Sequence, residues 1–268
     1  MPTPKPAFDS AKIHLHVLGQ DRELDLKVRV GPSTLRDLLP TAREISERVA
    51  AIAIEHAEAE GKKVSCRAGC GACCRQLVPI SVVEAKSLAD LVATMPGARR
   101  AAIRRRFQDA VRRLEQAGLL DPRAKKGRQA LLSTAAPGES GFENVSKRYF
   151  AEQIACPFLE AESCSIYADR PLVCREYNAV TPAEWCSELG TRVETAPRPA
   201  RMSEVLAEAA NALAGTDYPC IPLTLSLEWS EAHGKSLAKA QDGEAMFWAL
   251  LDHMETEEPP STAQGEKV

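Results

Sequence analysis

Four cysteines fall within nine consecutive positions, 66–74, in the stretch CRAGCGACC. A fold that brings thiols this close together must oxidise them to disulfides, use a pair of them in redox chemistry, or gather their thiolates around a metal. These three alternatives require different arrangements of the thiols and of the backbone around them. This stretch therefore limits the possible folds more than any other feature of the sequence.

The composition predicts a soluble globular protein without a membrane segment. Of its 268 residues, 44% are hydrophobic and 26% are charged, which is enough to bury one sizeable core or two small ones. The longest uninterrupted apolar run, AMFWALL at 245–251, is far shorter than the roughly 20 residues that cross a bilayer. The first residues, MPTPKPAFDSAK, lack the apolar core of a secretory signal. We therefore expect a cytoplasmic location.

A cytoplasmic location disfavours a disulfide framework, because glutathione and thioredoxin keep cytosolic thiols reduced. The chain has nine cysteines, an odd number that would leave one thiol unpaired. A thioredoxin-like redox pair would require a CxxC in a βαβ context, which the sequence does not indicate. Metal binding is the favoured interpretation, and redox cycling of the thiols is the alternative.

Apolar periodicity predicts a mainly α fold with a small N-terminal β-hairpin. Apolar and polar residues alternate on both sides of GQD in KIHLHVLGQDRELDLKVRV, as they do in a hairpin. Helical patterns follow from residue 33 to Gly61, from a capping box at Ser81 and Glu84 to Met95, from there to Gly118, around Tyr149, and near 202–213, 224–233 and 244–254. The cysteines fall in irregular loops, which we expect a metal site to organise.

We divide the chain into four parts on these patterns. They are an N-terminal tail and β-hairpin at 1–32, a helical cysteine-cluster metal-binding domain at 33–190, a C-terminal helical region packed on it at 191–254, and a disordered tail at 255–268. The last part, ETEEPPSTAQGEKV, has the composition of a disordered segment. The stretch at 118–140, rich in Gly, Pro, Lys and Arg, predicts a loose connection within the second part.

Eight of the nine cysteines form two windows about 80 residues apart. The first window contains Cys66, Cys70, Cys73 and Cys74, and the second contains Cys156, Cys164, Cys174 and Cys186. A site shared between the windows would hold distant parts of the chain together, so metal binding would contribute to folding. The ninth cysteine, Cys220, is expected to be buried as a small hydrophobic side chain.

Thiol groups at this density suit zinc or iron. Tetrahedral zinc binds four thiolates, and iron–sulfur clusters such as 4Fe–4S are also held by four cysteines. Gly69 and Gly71 flank Cys70 and allow the backbone to turn tightly there. The adjacent Cys73 and Cys74 would point to opposite faces of an extended chain, so they would serve two metals or one would be a spectator.

Arginine is concentrated beside the cysteines and in one helix. Arg170 and Arg175 are expected to donate hydrogen bonds to sulfur. Residues 99–128 contain eleven Lys and Arg against three acids, a balance of +8, so the rest of a −3 chain carries −11. A solvated amphipathic helix is the favoured interpretation, and docking to the protein's own acidic surface or to a protein partner also explains the polarity. Nucleic acid is disfavoured, because no aromatic residues alternate with these charges.

The segments CRAGCGACCR, CPFL, CSIY and RPLVCREY resemble the YkgJ-like, or CxxCxxCC, family, whose members are described as zinc- or iron-chelating proteins. The resemblance spans residues 66–177 and departs at one point, where three residues instead of two separate the first two cysteines. It implies that seven cysteines are metal ligands: Cys66, Cys70, Cys73, Cys74, Cys156, Cys164 and Cys174. We add Cys186 because it is the fourth thiol of the second window.

Chelation is a capacity and not a reaction, so the resemblance leaves several functions open. Zinc held by four thiolates is coordinatively closed and favours a structural role. A relative that shares the cysteine pattern, the flagellin lysine methylase, implies an alternative: an iron–sulfur enzyme of protein modification. A third possibility is a metal-stabilised interaction module without catalysis. No GxGxxG, GxxxxGK or local catalytic triad indicates another type of enzyme.

Overall fold

Two long antiparallel strands open the computed structural model, which describes residues 7–124, 127–188 and 192–254. Strand β1 (Ala7–Val17) pairs with β2 (Gln20–Val30) through a two-residue turn at Leu18 and Gly19. Both turn residues have positive φ, 50° and 73°, as a type I′ turn requires. The predicted hairpin is confirmed. Its inward face consists of alternate buried residues: Ile13, Leu15, Val17, Leu24, Leu26 and Val28.

Eight α-helices follow within the described residues, and they confirm the mainly helical prediction. Their bounds are α1 Leu39–Ala59, α2 Val82–Thr94, α3 Gly97–Gln116, α4 Gly141–Ala151, α5 Leu172–Glu176, α6 Met202–Ala214, α7 Ser226–His233 and α8 Gly243–Asp252. None of these helices is long and apolar enough to cross a membrane. The tail expected at 255–268 lies outside the described residues.

Short elements connect the helices. The two-residue strands pair antiparallel as β3 (Pro32–Ser33) with β8 (Gln241–Asp242), β4 (Pro79–Ile80) with β7 (Ile221–Pro222), and β5 (Leu159–Glu160) with β6 (Ser163–Cys164). Single-turn 3₁₀ helices lie at Leu35–Leu38, Ala72–Arg75, Tyr167–Asp169, Ala183–Ser187, Leu223–Leu225 and Gly234–Ala238.

One hydrophobic core joins the hairpin to the helices. Leu26 of β2, Ile45 of α1, Ile103 of α3 and Leu250 of α8 are all buried in it. Helix α1 packs against α5 and α6, and α2 packs against α7. Because α5 carries Cys174, the core positions one of the cysteines directly.

The connection between α3 and α4 is irregular but not loose, in contrast to our expectation for 118–140. Leu119 and Leu120 are buried. The Arg128 guanidinium donates to Glu115 at 2.7 Å and to Glu228 at 2.8 Å. The described part of this connection is therefore anchored to the core and to two helices.

The capping box that begins α2 also holds the start of α5. Ser81 Oγ accepts from the Glu84 backbone N–H at 3.2 Å, and Glu84 Oε2 accepts from the Ser81 N–H at 3.0 Å. The other carboxylate oxygen of Glu84 accepts from the Leu172 N–H at 2.7 Å. Glu84 is buried, which raises the pKa of its carboxyl. The sequence predicted the cap, but not the bond to α5.

Replacing Glu84 by Ala should destabilise the protein by about 3 kcal/mol, because it removes a cap and leaves buried donors at Ser81 and Leu172 unpaired. Urea unfolding measures the loss. Ser140→Ala is the matched control, since Ser140 caps the exposed start of α4 alone and should cost about 1 kcal/mol. Equal losses in the two variants would show that the bond to α5 contributes nothing.

Candidate metal centre

The first cysteine window is clamped to the segment that follows α5. The Ser65 N–H donates to the Ala179 carbonyl at 2.8 Å, and the Ala179 N–H donates to Cys66 Sγ at 3.2 Å. The 3₁₀ helix Ala72–Arg75 then carries Cys73 and Cys74. The start of the window is therefore held by hydrogen bonds to the backbone of Ala179.

The second window meets the first through a backbone hydrogen bond. The Cys156 N–H donates to the Cys74 carbonyl at 2.7 Å. Cys164 lies in β6, and Cys174 lies in α5. The 3₁₀ helix Ala183–Ser187, which carries Cys186, packs against the 3₁₀ helix Ala72–Arg75. The Gln76 side chain donates to the Cys186 carbonyl at 2.9 Å.

Seven cysteines line one cavity of about 430 Å³. They are the seven that the family resemblance implied: Cys66, Cys70, Cys73, Cys74, Cys156, Cys164 and Cys174. Cys186 is buried outside this lining. Cys220, which we expected to be buried, is exposed. It directly precedes the buried Ile221 of β7, and successive side chains of a strand point to opposite sides.

The thiols line the cavity wall, but they are not arranged as the ligands of one metal ion. Among residues 7–124, 127–188 and 192–254, no group of three or more His, Cys, Asp or Glu side chains is placed to hold a metal ion. The donor type nevertheless fits zinc or iron, because thiolates are preferred ligands of both. Metal binding would therefore require the sulfurs to move towards a common centre.

Burial keeps most of these thiols protonated. It raises the pKa of Cys156 to about 12 and that of Cys174 well above the ordinary value. The pKa of Cys73 is lowered to about 7, because the Cys74 thiol donates a hydrogen bond to it, and the pKa of Cys74 is raised in return. A metal must displace protons from this site, so its affinity will rise with pH.

Backbone N–H groups support negative charge on sulfur and partly oppose the effect of burial. Hydrogen bonds from the backbone of Phe158, Ile166 and Ala179 lower the pKa of Cys156, Cys164 and Cys66, respectively, although burial is the larger effect in each case. Donors of this kind stabilise thiolates that ligate a metal.

Comparison with known families matches residues 65–195 to the CxxCxxCC model, described as "Putative zinc- or iron-chelating domain". Residues 65–195 therefore form a CxxCxxCC domain. The matched segment contains all eight cysteines of the two windows, including Cys186. Comparisons with curated proteins and with solved structures gave no match.

Arginines line the cavity of the CxxCxxCC domain beside the thiols. They are Arg67, Arg170, Arg198 and Arg201. The Arg170 guanidinium lies over the Tyr167 ring at 4.1 Å, and its Nε is buried without a hydrogen-bond partner among the described residues. Burial raises the pKa of Cys66 and Cys164, and the positive charge of Arg170 partly opposes that rise. Arg198 and Arg201 are distant in sequence from the cysteines, and no motif indicated them.

Arg175 has a different role from the one we expected. Its guanidinium pairs with Glu47 of α1 and donates to the carbonyls of Ala168 and Arg170. It is buried and does not line the cavity. Arg175 therefore fixes the backbone around α5 instead of donating to sulfur.

Helix α3 uses one of its arginine faces to hold the loop of the second window. Arg99, Arg106 and Arg113, each seven residues apart, donate to the carbonyls of Ser165, Pro157 and Glu152. Arg106 also pairs with Glu160 at 3.0 Å. Part of the basic region at 99–128 thus contacts the second-window segment of the same CxxCxxCC domain. A protein partner for the rest of this region stays a prediction.

Gly71 lies so close to the β5–β6 turn that a side chain would not fit. A Cβ at Gly71 would be 2.6 Å from the Glu162 carbonyl oxygen, so Gly71→Ala must displace the turn that leads to Cys164. We expect a loss of about 1–3 kcal/mol in unfolding free energy and faster alkylation of Cys164. Gly97→Ala is the control, because nothing lies within 4 Å of its Cβ position. If Gly71→Ala behaved like this control, the close approach would be wrong.

Removing Arg106 should loosen the second window. Arg106→Ala deletes the bonds to Pro157 and Glu160, so we expect about 1 kcal/mol of destabilisation and faster alkylation of Cys156 by iodoacetamide, followed by mass spectrometry. Arg105→Ala removes the same charge from an exposed position of the same helix. Identical alkylation rates in both variants would contradict the positioning role of Arg106.

Proposed function

We propose that the CxxCxxCC domain binds zinc or an iron–sulfur cluster through the thiolates of its two cysteine windows, and that this metal stabilises the junction between them. The supporting observation is the cavity itself. Cysteines separated by about 80 residues line one cavity, and the two windows are joined by the hydrogen bond from Cys156 to Cys74.

The residues have separable tasks in this proposal. The cysteines supply the ligands and release their protons when the metal binds. The backbone N–H groups of Phe158, Ile166 and Ala179 orient three of the sulfurs. Arg170 supplies positive charge beside sulfurs that become anionic. A metal that draws the sulfurs together would add its binding free energy to folding.

An iron–sulfur enzyme of protein modification is the second candidate function, and one observation favours it. A closed tetrathiolate needs no lining beyond its sulfurs, yet the cavity is also lined by Tyr167, Tyr177, Arg198 and Arg201. Phe142, which is 61% exposed, lines this cavity and two neighbouring ones of about 400 and 330 Å³. Such walls suit a substrate side chain beside the metal.

Metal and acid-labile sulfide content of anaerobically purified protein tests the proposal. We expect bound zinc, or iron with sulfide, in the wild type. Loss of a residue that only supports a metal ligand through a hydrogen bond lowers metal affinity roughly 10- to 100-fold. Because Cys174→Ser removes a ligand itself, we expect a larger loss of affinity. Cys220→Ser, which changes an exposed thiol outside the cavity, should bind metal like the wild type.

The result also distinguishes the candidate functions. Zinc without sulfide, with loss of folding when the metal is removed, would support a metal-stabilised module. Iron with sulfide, in a protein whose fold survives removal of the cluster, would support the enzyme. Neither metal in the wild type, or equal metal content in Cys174→Ser, would overturn the proposal.

A further inference from the structure

Three arginines that line the cysteine cavity lack a polar partner of their own. They are Arg67, Arg170 and Arg198, and none of their guanidiniums donates a hydrogen bond or forms an ion pair within the described part of the chain. By contrast, Arg75 of the first cysteine window pairs with Glu162 through hydrogen bonds of 2.9 and 2.7 Å. We call Arg67, Arg170 and Arg198 the arginine triad.

Two members of the arginine triad are carried by segments that meet at Ala179. The Ser65 N–H donates to the Ala179 carbonyl at 2.8 Å, two residues before Arg67. Ala179 also forms an antiparallel β-bridge with Thr195, three residues before Arg198. Backbone hydrogen bonds therefore bring Arg67 and Arg198, which are 131 positions apart in the sequence, to the same cavity.

The third member, Arg170, lies directly before the start of α5. Its carbonyl accepts from Arg175 Nε at 3.0 Å, so Arg175 fixes the backbone of Arg170. The Arg170 guanidinium lies over the Tyr167 ring at 4.1 Å, and its buried Nε has no acceptor among the described residues. A buried donor without a partner costs free energy. An acceptor bound in the cavity would recover that cost.

The carboxylates on the neighbouring helices already have partners. Glu204 of α6 lines the cavity and pairs with Arg201 at 3.1 Å. Glu176 of α5 accepts from the N–H and the hydroxyl of Ser203 at 2.8 and 2.7 Å. Arginine stays protonated at any ordinary pH. The arginine triad therefore places three positive charges at the cavity, and no described carboxylate lies within ion-pair distance of them.

A tetrathiolate metal site would balance only part of this charge. Zn²⁺ with four thiolates has a net charge of 2 − 4 = −2, so one of the three guanidiniums would remain unbalanced beside such a site. A guanidinium presents its N–H donors in a planar fork that matches the oxygens of a carboxylate or a phosphate. The geometry of the donors thus suits an oxyanion in addition to the sulfurs.

We propose that the arginine triad binds the oxyanionic group, a carboxylate or a phosphate, of a ligand that occupies the cavity beside the thiols. The oxygens of this group would accept hydrogen bonds from the guanidiniums. The rest of the ligand would lie along Leu77 and Phe142, apolar side chains of the same cavity. This inference goes beyond the proposed function and does not depend on it, because the guanidiniums are cationic with or without a bound metal.

Calorimetric titration of the full chain with inorganic phosphate and with succinate, at constant ionic strength, tests the site. The wild type should bind at least one of the two probes. Arg170→Gln and Arg198→Gln should each weaken that binding about 10- to 100-fold, as expected for lost hydrogen bonds to charged groups. Arg105→Gln is the control, because it removes the same charge from an exposed position of α3 outside the cavity lining. It should bind like the wild type.

The two probes also distinguish the sources of the oxyanion. Binding of phosphate alone would identify a phosphate group, and binding of succinate alone a carboxylate. No binding of either probe by the wild type, or equal weakening in Arg105→Gln, would overturn the inference. Metal content of the same preparation keeps the tests separate. Probe binding by protein that takes up no metal would overturn the proposed function alone, and metal uptake without probe binding would overturn this inference alone.

Chemical modification of the wild type gives the same information without substitutions, so a variant that fails to fold does not affect the test. Phenylglyoxal reacts with free guanidiniums, and mass spectrometry locates the products. The bound probe should slow the modification of Arg67, Arg170 and Arg198 and leave the rate at Arg105 unchanged. Equal rates with and without the probe at all three members of the arginine triad would overturn the assignment.

Discussion

The hydrogen bond from the Cys156 N–H to the Cys74 carbonyl joins positions that are 82 residues apart in the sequence, and the candidate site depends on this junction. Closing a loop of that length costs at least about 4 kcal/mol of chain entropy. One backbone hydrogen bond contributes only about 1 kcal/mol. The helical core must therefore supply the difference, and it does so through α5, which packs on α1 and α6 and is held by Glu84. The core positions the cysteine loops before any metal is considered.

Burial then sets the chemistry of the thiols. Neutral thiols can share a partly buried cavity at little cost, whereas thiolates there would repel one another and lose hydration. The raised pKa of Cys156 and Cys174 expresses that preference. A divalent metal reverses it, because its charge offsets the negative charge of the sulfurs. Arg170 and the N–H groups directed at sulfur lower the remaining cost of the anionic form, which is why a cysteine cavity benefits from cationic neighbours.

Local patterns predicted much of the fold, and long-range contacts account for what they missed. The hairpin and the Ser81 cap follow from alternation and capping rules that act over a few residues. The eight clustered cysteines were likewise visible as two windows. The second bond of Glu84, the Arg106 contact with the Cys156 loop and the exposure of Cys220 depend on segments far away in the chain. The spacing of residues in the sequence does not predict these three features. They follow from which backbone carbonyl or neighbouring strand each side chain contacts in the folded chain.

The adjacency of Cys73 and Cys74 has a consequence for any arrangement with two sites. Both thiols lie in one 3₁₀ turn, which packs against the element of Cys186 and is bonded at its end to Cys156. A metal bound by either thiol would restrict the backbone of this shared turn. Binding of a second metal would then cost less conformational entropy, because part of its ligand backbone would already be ordered, and this favours positive cooperativity. Repulsion between two anionic thiolate sites would act in the opposite direction. The arginines that line the cavity would weaken that repulsion, so they would make it easier for a second metal to bind beside the first.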